Sequence, residues 1–334
     1  MNSDRRRINA PSGGTSAPVF ARTVKESGYL KSLRPSRTRG PKELRKIFLQ
    51  TGIVPSASGS AYLEIPTSNS STKTLIPSQS SLKIICSIQG PKPLPRSAPF
   101  SPCLLLTTTV KFAPFATRTR RGYVRDSVER DLGVHLETAL RGVIIAERWP
   151  KSGVEVVITI IEGDEDGWWG DDVSSTGVVG GGPGAGSGWG LLNVLAGCIT
   201  VASAAIADAG IDCVDLVCGG VAAVTRNSAS RNGQRQGAVQ ILDPNPSEHR
   251  DIAAACAVAY LAGRDEITEL WMKGAIGADP EPLIEGATHA AVGNLSVLRE
   301  VLLEAVEAKF KGDTEQEKEI SKSKSSVQDV EMTG

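Results

Sequence analysis

The stretch GSAYLEIPTSNSSTKTLIPSQSSLKIICSIQGP, residues 59–91, decides the fold. Its two ends, GSAYLEI (59–65) and SLKIICSIQGP (81–91), are strand-forming runs bounded by turn residues. Between them lies PTSNSSTKTLIPSQS, a Ser/Thr-rich linker that reads as an insertion at 66–80.

Further along, CLLLTTTVKFAPFA (103–116) is a third strand run, rich in β-branched residues. VRDSVERDLGVHLETALRGVIIAER (124–148) has apolar positions at helical spacing, with Asp126 and Glu129 in the first turn, where the helix dipole favours them. GVEVVITIIEG (153–163) is another strand. An acidic, glycine-rich segment, 164–190, leads into LLNVLAGCITVASAAIADA (191–209), a helix of small residues suited to close packing on a sheet. Strand runs follow at 213–225, 237–245, 252–263 and 266–277, and an amphipathic helix at 281–310 closes the fold. This order, strands–helix–strand and then helix–strands–helix, is an α+β pattern with internal two-fold character, not a doubly wound alternation. Residues 1–30 and 312–334 are polar and charged and read as disordered tails around a domain at 31–311.

The 334 residues, 40% of them hydrophobic, suffice for a real core. The net charge is zero, but it is unevenly distributed. Residues 1–125 hold 21 Lys/Arg against 4 Asp/Glu, and residues 126–334 hold 16 against 33. Such a split suits a nucleic-acid contact or a complementary protein partner; a basic arm with an acidic tail is the plainer account. The basic run RPSRTRGPKELRK (34–46) reads equally as a nuclear-import patch, an RNA contact or a solvated arm. Six scattered cysteines without a C-x-x-C pair, and three distant histidines, argue against a metal site and for buried reduced thiols in an intracellular protein. No secretory signal, membrane-spanning run or cofactor motif is found.

GGGPGAGSGWGLLNVLAGC (180–198) is a glycine-crowded loop entering a helix, the general form of a phosphate cradle. No Lys, Arg or His stands between Lys151 and Arg226, and Asp164, Glu165, Asp166, Asp171 and Asp172 lie just upstream. There is no G-K-[ST] for a nucleotide loop.

In order along residues 45–310, GSAYLE, CSIQGP, FAPFA with RTRR, VVITIIEGD, AIADAGI and VQILDPNPSEH resemble the RNase PH superfamily, in particular the ring subunits of the eukaryotic RNA exosome. The resemblance implies a two-lobed α+β fold, the ribosomal protein S5 domain 2-like type with internal pseudo-symmetry, carrying insertions at 66–80 and 165–188. It also implies a phosphate loop at Gly188, Trp189 and Gly190. Here that loop has Trp189, Leu191 and Leu192 where hydroxyls and a guanidinium are wanted. Active relatives carry two acids six residues apart; here the positions hold Asn245 and Asp251. They also carry an Arg pair at the start of the helix, which here is Arg125–Asp126. Arg118, Arg120, Arg121 and Arg125 remain as an RNA contact or a subunit contact.

The expectation is a catalytically silent ring subunit that pairs with other RNase PH-like subunits and helps line a channel for single-stranded RNA. It would support an S1/KH cap subunit and work in the nucleus, nucleolus and cytoplasm. An active phosphate-dependent 3′-to-5′ exoribonuclease and a stand-alone RNA-binding protein are the alternatives.

Overall fold

The computed structural model describes residues 35–66, 81–117, 120–166, 168, 188–225, 239–249, 252–275 and 280–331. The tail at 1–30 and nearly all of both insertions lie outside these residues.

Two sheets are built. The first comprises β1 (Phe48–Thr51), β2 (Gly59–Ile65), β3 (Leu82–Pro93), β4 (Leu105–Phe112) and β5 (Ser152–Glu162) in the order β1-β2-β3-β5-β4. The runs flanking the insertion are neighbours: Gly59 pairs with Ile88 and Ile65 with Leu82, antiparallel. β4 lies parallel to β5, connected through α1 (Ser127–Arg141). After α2 (Trp189–Asp208) comes the second sheet: β6 (Val217–Thr225), β7 (Val239–Leu242), β8 (Ile252–Leu261) and β9 (Glu266–Gly274), in the antiparallel order β7-β6-β8-β9. The chain ends its described course in α3 (Glu281–Glu331).

The central element is α2. It contacts β2 and β3 of one sheet and β6 and β8 of the other, and sixteen of its twenty residues are buried. A helix with sheet on both sides has no polar face to offer. It is long and apolar enough to cross a membrane, yet 89% of its apolar window is buried inside the fold. The close approach is permitted from β6 by Gly219 and Gly220, whose neighbouring positions face opposite ways. A Cβ on Gly219 would lie 2.3 Å from the Ala196 carbonyl oxygen of α2, and one on Gly220 would lie 2.2 Å from that of Ala287 in α3. Burial pushes the Cys86, Cys198 and Cys218 thiols up, and Cys256 up to about 12, so these four are neutral packing residues.

α1 starts where its first-turn acids point. Asp126 caps the Glu129 N–H, and Glu129 returns a carboxylate oxygen to the Asp126 N–H, a reciprocal capping box. The helix is shorter than the expected 124–148. It stops at Arg141 because the next residues leave to pair elsewhere: Ile144 bridges Cys213, and the Ile145 N–H donates to the Asp212 carbonyl. A short 3-10 turn, Ala146–Arg148, completes that stretch. The four-residue edge strand β1 had no counterpart in the sequence reading. α3 continues to Glu331, across the segment read as a charged tail. That segment is rich in Lys, Glu and Gln, strong helix formers once a helix has started.

Candidate functional site

The glycine loop meets α2 at Gly188, the N-cap residue, in a left-handed conformation with φ of 69° and no side-chain cap. Without a cap, the first N–H groups of the helix face outward as an anion seat. The seat is taken. The Gly190 N–H donates to a carboxylate oxygen of Asp166 at 3.0 Å. Gly190 also lies flat against the incoming chain, since a Cβ there would stand 2.3 Å from the Asp164 carbonyl oxygen. The Trp189 ring lies over Gly274, closing the other side.

The cation missing between Lys151 and Arg226 comes from β9. Lys273 reaches over the loop, its Nζ so near Gly188 that an added Cβ would fall 2.0 Å from it. The same ammonium stands 5.7 Å from the Trp271 ring centroid. No spacing rule links position 273 to position 188; the β8–β9 register sets Lys273 opposite Ala255, and the fold brings the loop to it.

Beneath the loop lies a buried charge cluster. The Arg45 guanidinium donates to Asp164 at 3.1 Å and to both oxygens of Asp243, at 2.8 and 2.9 Å. The Asn193 amide, on α2, donates to Asp164 at 2.9 Å and to the Pro244 carbonyl at 2.7 Å. Arg39 adds a bond to Asp243 at 3.0 Å and one to Glu248 at 3.1 Å. Burial alone would raise the Asp243 carboxyl, but the charges and hydrogen bonds of Arg45 and Arg39 outweigh it and hold Asp243 well below the usual carboxylate range. Arg37 spends its guanidinium on carbonyl oxygens, among them those of Gly40, Glu43, Leu242 and Asp243. Three arginines of the basic run 34–46 are therefore internal fasteners.

The paired-acid positions fare similarly. Asp251 lies outside the described residues. Asn245 is buried, and its side-chain oxygen accepts from the Ser247 N–H and hydroxyl, while its carbonyl accepts from the Glu248 N–H. It organises a turn. The two other nearby carboxylates, Asp243 and Glu248, are both bound to arginine. Among the described residues no group of three or more His, Cys, Asp or Glu is placed to hold a metal ion.

The arginine loop between β4 and α1 divides. Arg118 lies outside the described residues. Arg120 is exposed. Arg121 is bound: it donates to Asp126 at 2.9 Å and stacks over the Phe112 ring at 4.5 Å. Arg125 is half-buried and lies along α1, with Nη2 3.4 Å from where a Cβ on Gly133 would stand. The same loop exposes Phe115 (74%) and Tyr123 (67%), which charge counting passes over. The signal was in APFA and RGYVR all along, as large aromatics in a basic loop.

Residues 43–212 match the RNase PH profile, described as the 3′ exoribonuclease family, domain 1. The chain belongs to this family. It is 50% identical over 314 residues to the "Exosome complex component MTR3" of Chaetomium thermophilum, covering 91% of this chain and 99% of that protein. It is 29% identical over 274 residues to the "Exosome complex component mtr3" of Schizosaccharomyces pombe, covering 81% and 84%. Among solved structures, rice (Oryza sativa) Rrp46 superposes with a TM-score of 0.55 at 16% identity, covering 79% of this chain and 98% of that one. The RNase PH fold expected from the ordered motifs is the fold found.

Proposed function

We propose that this RNase PH family member is a non-catalytic ring subunit of an RNA exosome core. It pairs with other RNase PH-like subunits and helps pass single-stranded RNA through the ring. The assembly part rests on the likeness to exosome components of two fungi, one of them matched almost end to end. The observation that carries the silence is the Asp166 carboxylate on the Gly190 N–H. Phosphorolysis needs an inorganic phosphate brought against an RNA phosphodiester, and the developing charge must meet aimed donors. Here the donors at the start of α2 face a carboxylate of the same chain. A second anion would enter beside Asp166, with Asp164 already committed to Arg45 just behind. The acids that might serve as proton donors or metal ligands nearby, Asp243 and Glu248, are neutralised by arginine.

In this reading Arg118, Arg120 and Arg125 are the loop cations offered to RNA phosphates, with Phe115 and Tyr123 beside them. An S1/KH cap subunit is the further partner. The test is an assay of the purified chain, alone and in its native complex, for release of nucleoside diphosphates from RNA in inorganic phosphate. No phosphate-dependent release above background is expected from the chain. Release that persists in homogeneous protein and disappears in Asn245→Ala or Lys273→Ala would overturn the silence. Purification without any RNase PH-like companion would overturn the ring assignment.

A further inference from the structure

Phe115 and Tyr123, in the connection between β4 and α1, are large rings left mostly in solvent, 74% and 67% exposed. Two other exposed rings are already partnered. Phe48 meets Tyr62 edge to face, and Phe100 carries the Lys151 ammonium at 5.2 Å. Among the described residues, no ring or cation is placed on Phe115 or Tyr123. The backbone beneath them is nonetheless fixed. The Ala116 N–H donates to the Ala113 carbonyl, and the Gly163 N–H, just past β5, donates to that of Ala116. The Arg121 N–H reaches back to the Pro114 carbonyl at 3.1 Å, which ties the two limbs of the loop together. The Lys111 ammonium donates to the Tyr123 carbonyl at 2.6 Å. Rings with two side-chain torsions on a pinned backbone lose little freedom when a ligand settles on them.

The charge around them is of one sign. No Asp or Glu occurs from Ile65 to Arg125, while Lys111, Arg118, Arg120, Arg121 and Arg125 lie in or beside the loop. The carboxylates at its borders are engaged: Asp126 with Arg121, Glu129 with the Phe112 N–H, and Glu162, at the end of β5, with Lys83. Flat apolar faces in a positive field suit a ligand that alternates planar rings with phosphates.

We propose that Phe115 and Tyr123 are base-stacking residues for single-stranded RNA. The inference rests on the RNA-guiding role proposed above and adds a second recognition to it: the arginines hold phosphates, and the two rings hold bases. Stacking is tolerant of sequence, because every base has a π face. It nevertheless requires a base, and that separates it from phosphate contact.

The test uses the native complex and two oligomers of equal length: oligouridine, and an abasic ribose-phosphate chain that keeps the phosphates and lacks the bases. Phe115→Leu and Tyr123→Leu keep apolar bulk and lose the π face. Each should weaken oligouridine binding by about fivefold, the low end for one stacked base, with the salt slope unchanged. Tyr123→Phe should stay within about twofold of wild type, because the ring is kept. On the abasic chain all three variants should bind as wild type does. Equal losses on both oligomers, or no loss on oligouridine, overturn the proposal. Thermal unfolding of each variant chain checks that the fold is kept. On the unaltered complex, oligouridine carrying 5-iodouridine should photo-crosslink to Phe115 or Tyr123, located by mass spectrometry of the peptides. Crosslinks confined to other positions overturn the proposal, and they are the result expected if another subunit covers the rings. Arg120→Ala separates the two readings. If it weakens binding while the ring variants do not, stacking fails and the RNA contact stands; if no variant changes binding, both fail.

Discussion

Two arginine-rich segments, 34–46 and 118–125, look alike in sequence and are used in opposite ways. In the first, Arg37, Arg39 and Arg45 turn inward and tie the start of the domain to the β7–β8 connection, about two hundred positions away in sequence. In the second, Arg120 faces solvent beside exposed Phe115 and Tyr123. The difference lies not in the arginines but in what the fold brings to them. Asp243, Glu248 and Asp164 meet the first segment. Among the described residues of the second, Asp126 takes Arg121. A basic run therefore says that positive charge must be placed, and the distant carboxylates decide whether it is placed inside or left for a partner.

The sharpest way to break this comparison is Arg45→Met. The guanidinium is about 2% exposed and serves two carboxylates, one of which is about as buried. Removing it strands Asp164 and Asp243 without their main partner, which costs about 3–5 kcal/mol for a buried pair. Denaturant unfolding of the purified chain should show that loss as a lower midpoint. Arg120→Met on the same chain should stay within roughly 0.5 kcal/mol of wild type, as a surface change touching nothing. Equal losses at the two positions would erase the distinction.

The charge cluster also predicts a pH dependence. Asp243 has its folded-state carboxyl lowered by Arg45 and Arg39. A depressed carboxyl contributes stability that is fully present above its unfolded value, about 3.9, and is lost as pH falls toward the folded value. Unfolding free energy should therefore drop on acidification below about pH 4. In Asp243→Asn the stability at neutral pH should be lower and the acid limb shallower. An acid limb of unchanged slope would mean that other carboxylates carry it.

Much of the fold was legible because it was local. Both runs flanking the 66–80 insertion have strand composition and pair directly with each other. The Asp126 and Glu129 pair marked the helix start, and the capping box stands there. What could not be read was whatever depended on a distant partner. Residues 143–145 continue a helical pattern, but they are drawn off by Cys213 and Asp212. Gly219 and Gly220 are ordinary strand glycines in sequence, and only the helices on both sides of β6 explain them. At the candidate site, the stretch without Lys, Arg or His between Lys151 and Arg226, and the acids upstream of the glycine loop, were legible. That Asp166 in particular occupies the helix start was not, nor that Lys273 supplies a cation, because both depend on how the chain returns after tens of residues.

The finest test lies within the exposed loop itself, between Arg120 and Arg121. Arg121 is bonded to Asp126, the cap of α1, and stacked on Phe112. Its ion pair is partly solvated, with side chains 19% and 43% exposed, so Arg121→Ala should cost no more than about 1 kcal/mol. Arg120→Ala should cost less still. RNA binding should rank the two the other way. In the assembled complex, loss of Arg120 removes a cation free to meet a phosphate, lowering affinity about equally for unrelated sequences and flattening the salt dependence by roughly 0.7 for one single-strand contact. Arg121→Ala should leave that slope close to wild type, because its guanidinium is already neutralised by Asp126. Binding isotherms over a salt series, set beside denaturation curves of the same variants, check both orders. If Arg121→Ala flattens the slope and Arg120→Ala does not, the ion pair opens to RNA, and the solvent-facing arginine is the bystander.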